Sequence, residues 1–346
     1  KKLNRRQQEI RRKRLKKRKR RRAIVIIIEL IILCILGTTA FALFKLGKME
    51  RTSLTNIKNN GLKQTGYTNI ALFGLDSRGK SLGKGNRTDT IMVASINNET
   101  KKVKLISVYR DTMLKQNGEH YDKANAAYSV GGPETAVNML NENLDLDIQD
   151  YVSVNFLALA DVIDMVDGIT VKMTDEEVVH MNNYCVETSK VTGKASNHIT
   201  QAGTYNVDGV QAVAYSRIRY TSGGDYKRTE RMRTVIEAMF NKLKTKNVAQ
   251  INAFADKILP SVYTNITSGD IISMVPNIAK YKVGESIGWP YQTKGITMDR
   301  WYGVPVTLES NVTQLHKEAF GEDNYTPSET VKSVSNSIIK KTGYNK

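Results

Sequence analysis

Residues 23–44, from Ala23 to Phe44, form a 22-residue run that is charged only at Glu29 and is bounded by Arg22 and Lys45. As a helix it would be about 33 Å long, enough for a hydrocarbon core of about 30 Å. A buried core helix is rarely apolar on every side for about six turns. A cleaved signal peptide has a shorter apolar region, and no clean small-x-small site follows Phe44. The run therefore predicts a single transmembrane helix, with Glu29 near the cytoplasmic interface.

The charge distribution orients that span. Residues 1–22 hold fifteen Lys/Arg and one acid, Glu9, whereas only Lys45, Lys48 and Arg51 follow the run closely. The positive-inside bias makes residues 1–22 a cytoplasmic tail and puts the body outside, a single-pass type II arrangement in the cell membrane. The chain's net charge of +18 is mostly this tail, which carries +14 and leaves +4 for the other 324 residues. A basic nucleic-acid-binding domain is not the source of the charge. No helix-turn-helix accompanies the tail, so a membrane-tethered transcriptional regulator is the weaker alternative.

Beyond the span, residues 45–66 read as a polar extracellular stalk, 67–325 as a catalytic domain, and 326–346 as a polar C-terminal tail with one weak helix. Within the domain, residues 69–75, 90–96, 103–109, 151–156 and 168–173 have strand character. Pro133–Leu144, Leu157–Val166 and Tyr226–Lys244 have helical spacing, with weaker helices near 247–259 and 268–281. The alternation predicts an α/β fold, a mixed central β-sheet flanked by helices.

The first three strands read as a meander, and that has a chemical consequence. Antiparallel pairing brings Asp76, Asp89 and Arg110-Asp111 to the same edge. The joining loop, 77–87, is long and Gly-rich and adds Arg78, Lys80, Lys84 and Arg87. Such loops are often functional, although a merely solvated loop fits the charges equally well. No Walker pattern is present, since no Ser or Thr follows Lys84.

A second basic cluster follows. Arg217 and Arg219 alternate, so an extended backbone would put them on one face. Arg228 and Arg231 fall in the first turns of the 226–244 helix, beside its apolar stripe, where an anion is needed to meet them. An ion pair with Asp225 or Glu230 could satisfy one arginine but hardly four. Acids able to hold a hard cation, next to arginines that fork onto phosphate oxygens, point to a pyrophosphate with Mg²⁺. Cys34 lies in the apolar run and Cys185 stands alone in the body, so no intramolecular disulfide framework is expected. His120, His180, His198 and His316 have no zinc-like spacing.

These blocks resemble the LytR-CpsA-Psr family. The likeness runs through residues 69–78, Arg87-Thr88-Asp89-Thr90, Ser107–Thr112, Lys123–Tyr128 with Gly131-Gly132, Asp150-Tyr151-Val152, Asp208-Gly209, Tyr215–Arg219 and Gly224–Arg231. Met232 stands where the family usually has Gln, and Tyr226-Lys227 where Phe-Gly is commoner. The resemblance implies a Gram-positive cell-wall enzyme that moves a glycopolymer, wall teichoic acid or capsular polysaccharide, from undecaprenyl pyrophosphate to a peptidoglycan sugar hydroxyl. It implies that Asp76 and Asp89 bind Mg²⁺, with Mn²⁺ as an alternative. Arg87, Arg110, Arg217 and Arg219 are then the catalytic arginines. Arg78, Arg228 and Arg231 join Arg110, Arg217 and Arg219 around the pyrophosphate, and Asp111 and Asp225 are supports. Leu157–Val166 and the stripe from Met232 to Leu243 are candidate walls for the polyprenyl chain. A polyprenyl-pyrophosphate hydrolase would need the same cation and arginines, and the sequence leaves that alternative open.

Overall fold

A computed structural model describes residues 50–76, 82–247, 259–267, 280–284 and 286–345, with Gly47, Gln250, Ala253, Lys257 and Asp270, the side chains of Glu50 and Asp225 excepted. The expected tail (1–22), the apolar span (23–44), Arg78 and most of the two weak helices lie outside the described residues. Among the described residues no helix is long and apolar enough to cross a membrane.

Alternating burial fixes the centre of the molecule. After a short β1 (Glu50–Arg51), strands β2 (Tyr67–Leu75), β3 (Thr88–Asn97) and β4 (Lys102–Val108) form the expected antiparallel meander. Successive side chains point to opposite faces, so every second position shares one. Ala71, Phe73, Leu75, Ile91, Val93, Ile106 and Val108 feed the large core on one face, whereas Leu72, Ala94, Val103 and Leu105 face the other. A small hairpin, β5 (Met113–Lys115) and β6 (Tyr121–Lys123), leads into helix α1 (Ala126–Leu144). That helix is two pieces joined at Gly132 (φ 73°, ψ −161°), and Pro133 opens the second, where its missing N–H costs little. Strand β7 (Ile148–Asn155) returns parallel to β2.

The next segment builds a helical layer around its own apolar cluster. It comprises α2 (Phe156–Met165), β8 (Ile169–Met173), α3 (Asp175–Thr192), β9 (Gly203–Val207), α4 (Gly209–Ser216) and α5 (Gly224–Leu243). Helices α3 and α4 each open with a capping box, Thr174/Glu177 and Asp208/Gln211. Strand β10 (Val262–Thr264) is antiparallel to β7, while β11 (Lys282–Val283) and β12 (Ile287–Trp289) run parallel to β4. Among the described residues the main sheet thus has eight strands, ordered β1-β10-β7-β2-β3-β4, with β11 and β12 both on β4. A second hairpin, β13 (Thr293–Thr297) and β14 (Trp301–Pro305), precedes α6 (Leu308–Phe320) and α7 (Glu329–Thr342).

Two boundaries differ from expectation. Residues 50–66 do not hang free as a stalk: the Thr55 and Lys58 amides donate to Glu134 and Asn138 of α1, and Gln64 Nε2 donates to the Asp145 carbonyl. Nor is 326–346 a polar tail. Ser328 caps α7, whose Val331, Val334 and Ile338 are buried in the main core. The buried Asp145 carboxylate accepts from Tyr325 Oη (2.7 Å) and the Ser328 amide (2.8 Å), fastening this segment to the end of α1.

Candidate active site at the strand ends

The meander brings its acids together as expected, with one refinement. The β2–β3 ladder pairs Gly74 with Thr90 but Leu75 with Thr88. Asp89 is therefore the extra residue of a β-bulge, a device that bends a strand and re-aims its side chain. The close approach of Gly74, where a Cβ would meet Thr90 Cβ at 2.9 Å, belongs to the same irregularity. One residue past the bulge, the Asp76 amide donates to the Arg87 carbonyl (3.1 Å), which sets Asp76 and Arg87 side by side.

Three arginines from three parts of the chain close on Asp89. Arg110 Nη1, at the end of β4, lies 2.5 Å from Oδ1. Arg219 Nη2 is 3.4 Å and Arg228 Nη1 3.6 Å from Oδ2. Arg228 Nη2 also donates to the Asp89 backbone carbonyl at 2.9 Å. Burial pushes the Asp89 carboxyl up, but Arg228, Arg110 and Arg219 outweigh it and hold it below the usual carboxylate value. Asp111 bridges two cations, Arg110 Nε at 3.4 Å and Lys123 Nζ at 2.8 Å.

These groups line a cavity of about 510 Å³ whose walls include Asp76, Arg87, Asp89, Arg110, Arg217 and Arg219. The first turn of α1 reaches it through Ala126 and Ser129. Its helix N-terminus adds free N–H groups and a positive end, which favour an anion. Among the described residues the lining thus sets six cations (Arg87, Arg110, Lys123, Arg217, Arg219 and Arg300) against four carboxylates (Asp76, Asp89, Asp111 and Asp122).

Several sequence expectations need correction. Residues 215–219 are not extended: Tyr215 and Ser216 end α4, and Arg217 caps it in helical conformation. Arg217 and Arg219 still share the cavity, because Ile218 between them turns into the core. Arg217 Nη2 lies 3.3 Å from Glu187 on α3, and its guanidinium sits over the Phe156 and Tyr184 rings. Arg228 lies beneath Asp89, in a small adjoining crevice with Ile91, Val108 and Met232. Arg231 does not reach the cavity. It is buried and spent on Glu177 (2.8 Å), the Ile218 carbonyl (3.1 Å) and Thr221 Oγ1 (2.7 Å), tying α5 to α3 and to the turn after α4. Arg78 and the Asp225 side chain lie outside the described residues.

Other cavity residues were not singled out for a role. Lys123 and Asn125 lie inside the matching blocks and Asp122 adjoins them, whereas Tyr184 and Arg300 give no local signal, coming from segments distant in sequence. The free Cys185 is buried in the helical layer, and that burial pushes its thiol up to about 12, unsuited to a nucleophile.

Asp76 and Asp89 are oxygen donors of the kind a hard cation takes, and both line the cavity. Mg²⁺ typically takes one or two carboxylates and lets phosphate oxygens and water fill the rest. Among the described residues no cluster of three His, Cys, Asp or Glu forms a closed cage. An open, shared arrangement is what the cavity offers.

The family profile described as LytR_cpsA_psr family matches residues 38–314. The chain belongs to the LytR-CpsA-Psr family. Curated family relatives include Biofilm regulatory protein A of Streptococcus mutans, 29% identical over 77% of this chain and 66% of that protein. Another is the polyisoprenyl-teichoic acid–peptidoglycan teichoic acid transferase TagU of Enterococcus faecalis, 27% identical over 78% of this chain and 88% of the relative. Among solved structures, a Bacillus subtilis TagV matches 77% of this chain and all of its own (100%), at 25% identity and a TM-score of 0.58. TagT bound to LIIa-WTA shares the LytR-CpsA-Psr fold, with a TM-score of 0.58 at 22% identity, covering 84% of this chain and 99% of that one.

Proposed function

We propose that this chain transfers a glycopolymer, wall teichoic acid or capsular polysaccharide, from an undecaprenyl-pyrophosphate carrier to a sugar hydroxyl of peptidoglycan. The observation that carries the reading is the convergence of Arg110, Arg219 and Arg228 on Asp89 beside Asp76, Arg87 and Arg217. At the level of its family the chain is a glycopolymer transferase, as relatives from Enterococcus faecalis and Bacillus subtilis are named polyisoprenyl-teichoic acid–peptidoglycan teichoic acid transferases. A family structure is described as TagT with bound octaprenyl pyrophosphate lipid, at 22% identity and a TM-score of 0.53, covering 84% of this chain and 96% of that one. That ligand matches the chemistry read from the arginines.

The step forms a P–O bond between the acceptor oxygen and the sugar-proximal phosphorus. The bridging P–O bond breaks, polyprenyl phosphate leaves with the electron pair, and the hydroxyl loses its proton. The protein's part is positioning and charge neutralisation. Arg87, Arg110, Arg217 and Arg219 hold the pyrophosphate oxygens. Asp111 keeps Arg110 and Lys123 aimed at the cavity, and Arg228 supports Asp89 from below. Asp76 and Asp89 would hold Mg²⁺, or Mn²⁺, which when bound neutralises charge on the phosphates. In this reading residues 1–22 are cytoplasmic, 23–44 cross the membrane, and the domain works outside it.

The test incubates the full-length protein with a short lipid-linked glycan and peptidoglycan oligomers, followed by mass spectrometry. Transfer adds a glycan phosphate to the oligomer and releases polyprenyl phosphate. Release of free glycan phosphate, with no oligomer modified, would overturn it.

A further inference from the structure

Trp301 has a placement that pyrophosphate chemistry does not use. The chain has two tryptophans; Trp289 is fully buried, whereas Trp301 keeps 46% of its surface exposed. The exposed indole is nonetheless firmly seated. Gly295 and Gly303 oppose each other across the β13–β14 hairpin, and the ring lies over both. A Cβ at Gly295 would come within 2.8 Å of the indole Nε1, and one at Gly303 within 3.5 Å of Cη2. One face of the ring rests on bare backbone, which leaves the other to solvent.

The hairpin is also fastened to the cavity. The Gly303 amide donates to the Asp111 carbonyl at 3.0 Å. Arg300, next to Trp301, lines the cavity and lies 3.5 Å from Asp122, another lining residue. A fixed aromatic plane beside charged hydrogen-bonding groups suits a sugar ring, whose C–H face lies on the indole while hydroxyls meet the polar groups.

We infer that Trp301, with Arg300 and Asp122, forms a subsite for the acceptor glycan, a peptidoglycan strand. The inference rests on the transfer reading above. Ionic contacts order the cavity from Lys123 through Asp111 and Arg110 to Asp89 and Arg219, with Asp122 and Arg300 beside Lys123. The apolar side chains stand elsewhere: Tyr184 and Phe156 lie under Arg217. In-line displacement puts the incoming hydroxyl and the departing polyprenyl phosphate on opposite sides of the phosphorus. The lipid then takes the apolar rim, and the acceptor takes the Arg300 end. Arg300 also supplies a cation for the carboxylates that muramic acid and stem peptides carry.

Covering a glycine pair is the competing role for Trp301, and the second tryptophan being buried gives a direct test. Acrylamide quenching of the full-length protein reports mainly on Trp301. Short peptidoglycan strand fragments should protect it, and the lipid-linked glycan alone should not. In the transfer assay, Trp301→Ala should raise the acceptor KM about tenfold, with the donor KM unchanged and Trp301→Phe recovering most of the loss. Absence of protection by the fragments, protection by the donor alone, or a variant that changes only Tm would overturn the subsite. The quenching result needs no turnover, so it stands apart from a failure of the transfer reading.

Discussion

Arg228 holds Asp89 twice, with one nitrogen 2.9 Å from its backbone carbonyl and another 3.6 Å from its carboxylate. The carbonyl is available because the bulge takes Asp89 out of the regular ladder. Folding the site and charging the site are thereby one event, which makes Asp89 a test of both.

Asp89→Asn should remove transfer and also destabilise the domain by about 3 kcal/mol near neutral pH, since it strands buried arginines. The sign follows from the carboxyl being held below its ordinary value of 3.8 in the folded state. Stability from the ionised form is present above that value and is lost as pH falls through the lower folded one. Denaturant melts of wild type and variant should therefore draw together as pH falls through the folded-state value, which lies below 3.8.

Arg219 and Arg231 should separate chemistry from structure. Arg219→Ala, at a partly exposed position on the cavity, should lower transfer about a hundredfold with Tm nearly unchanged. Arg231→Met should lower Tm by several degrees, because Glu177 loses its buried partner, while the folded fraction keeps most of its kcat. Equal effects of both variants on kcat would contradict the placement of Arg231 outside the cavity.

Chelation should abolish transfer without changing the far-ultraviolet circular dichroism, and added Mg²⁺ or Mn²⁺ should restore it. Asp76→Ala should raise the Mg²⁺ concentration needed for half-maximal rate. Transfer that persists in excess chelator would exclude the cation from the reaction.

Removing residues 328–346 should cost more than about 4 kcal/mol, because Val331, Val334 and Ile338 are buried. Limited proteolysis of the truncated domain should be rapid. A polar tail would be removable at no cost.

Much of this was legible in the chain. Strands β2 to β4 declare themselves as short apolar runs bounded by polar residues, and helix α5 by its apolar repeat at three and four, with Asp76, Asp89 and Arg110 at the strand ends. Helix α4 escaped notice because all eight of its residues are buried, which erases the amphipathic contrast. That omission made Arg217 and Arg219 look extended. Arg231 reads as a substrate ligand in the sequence because a cation beside an apolar stripe needs an anion. The anion is Glu177, on a helix whose one sequence signal is the Thr174-x-x-Glu177 capping box. Helix α7 was discounted because its apolar positions are diluted by Ser and Lys. Arg300 and Trp301 were beyond reach, since only the tertiary fold returns the second hairpin to the Asp111 segment.

The bulge at Asp89 trades a regular ladder for a carboxylate that three arginines hold. Deleting that single residue would let Leu75 and Gly74 pair in unbroken register and would heal the sheet. The same deletion would remove the carboxylate around which the arginines gather. Arg110, Arg219 and Arg228 would lose that partner in the same stroke, so selection for thermal stability alone should retain Asp89 together with its bulge.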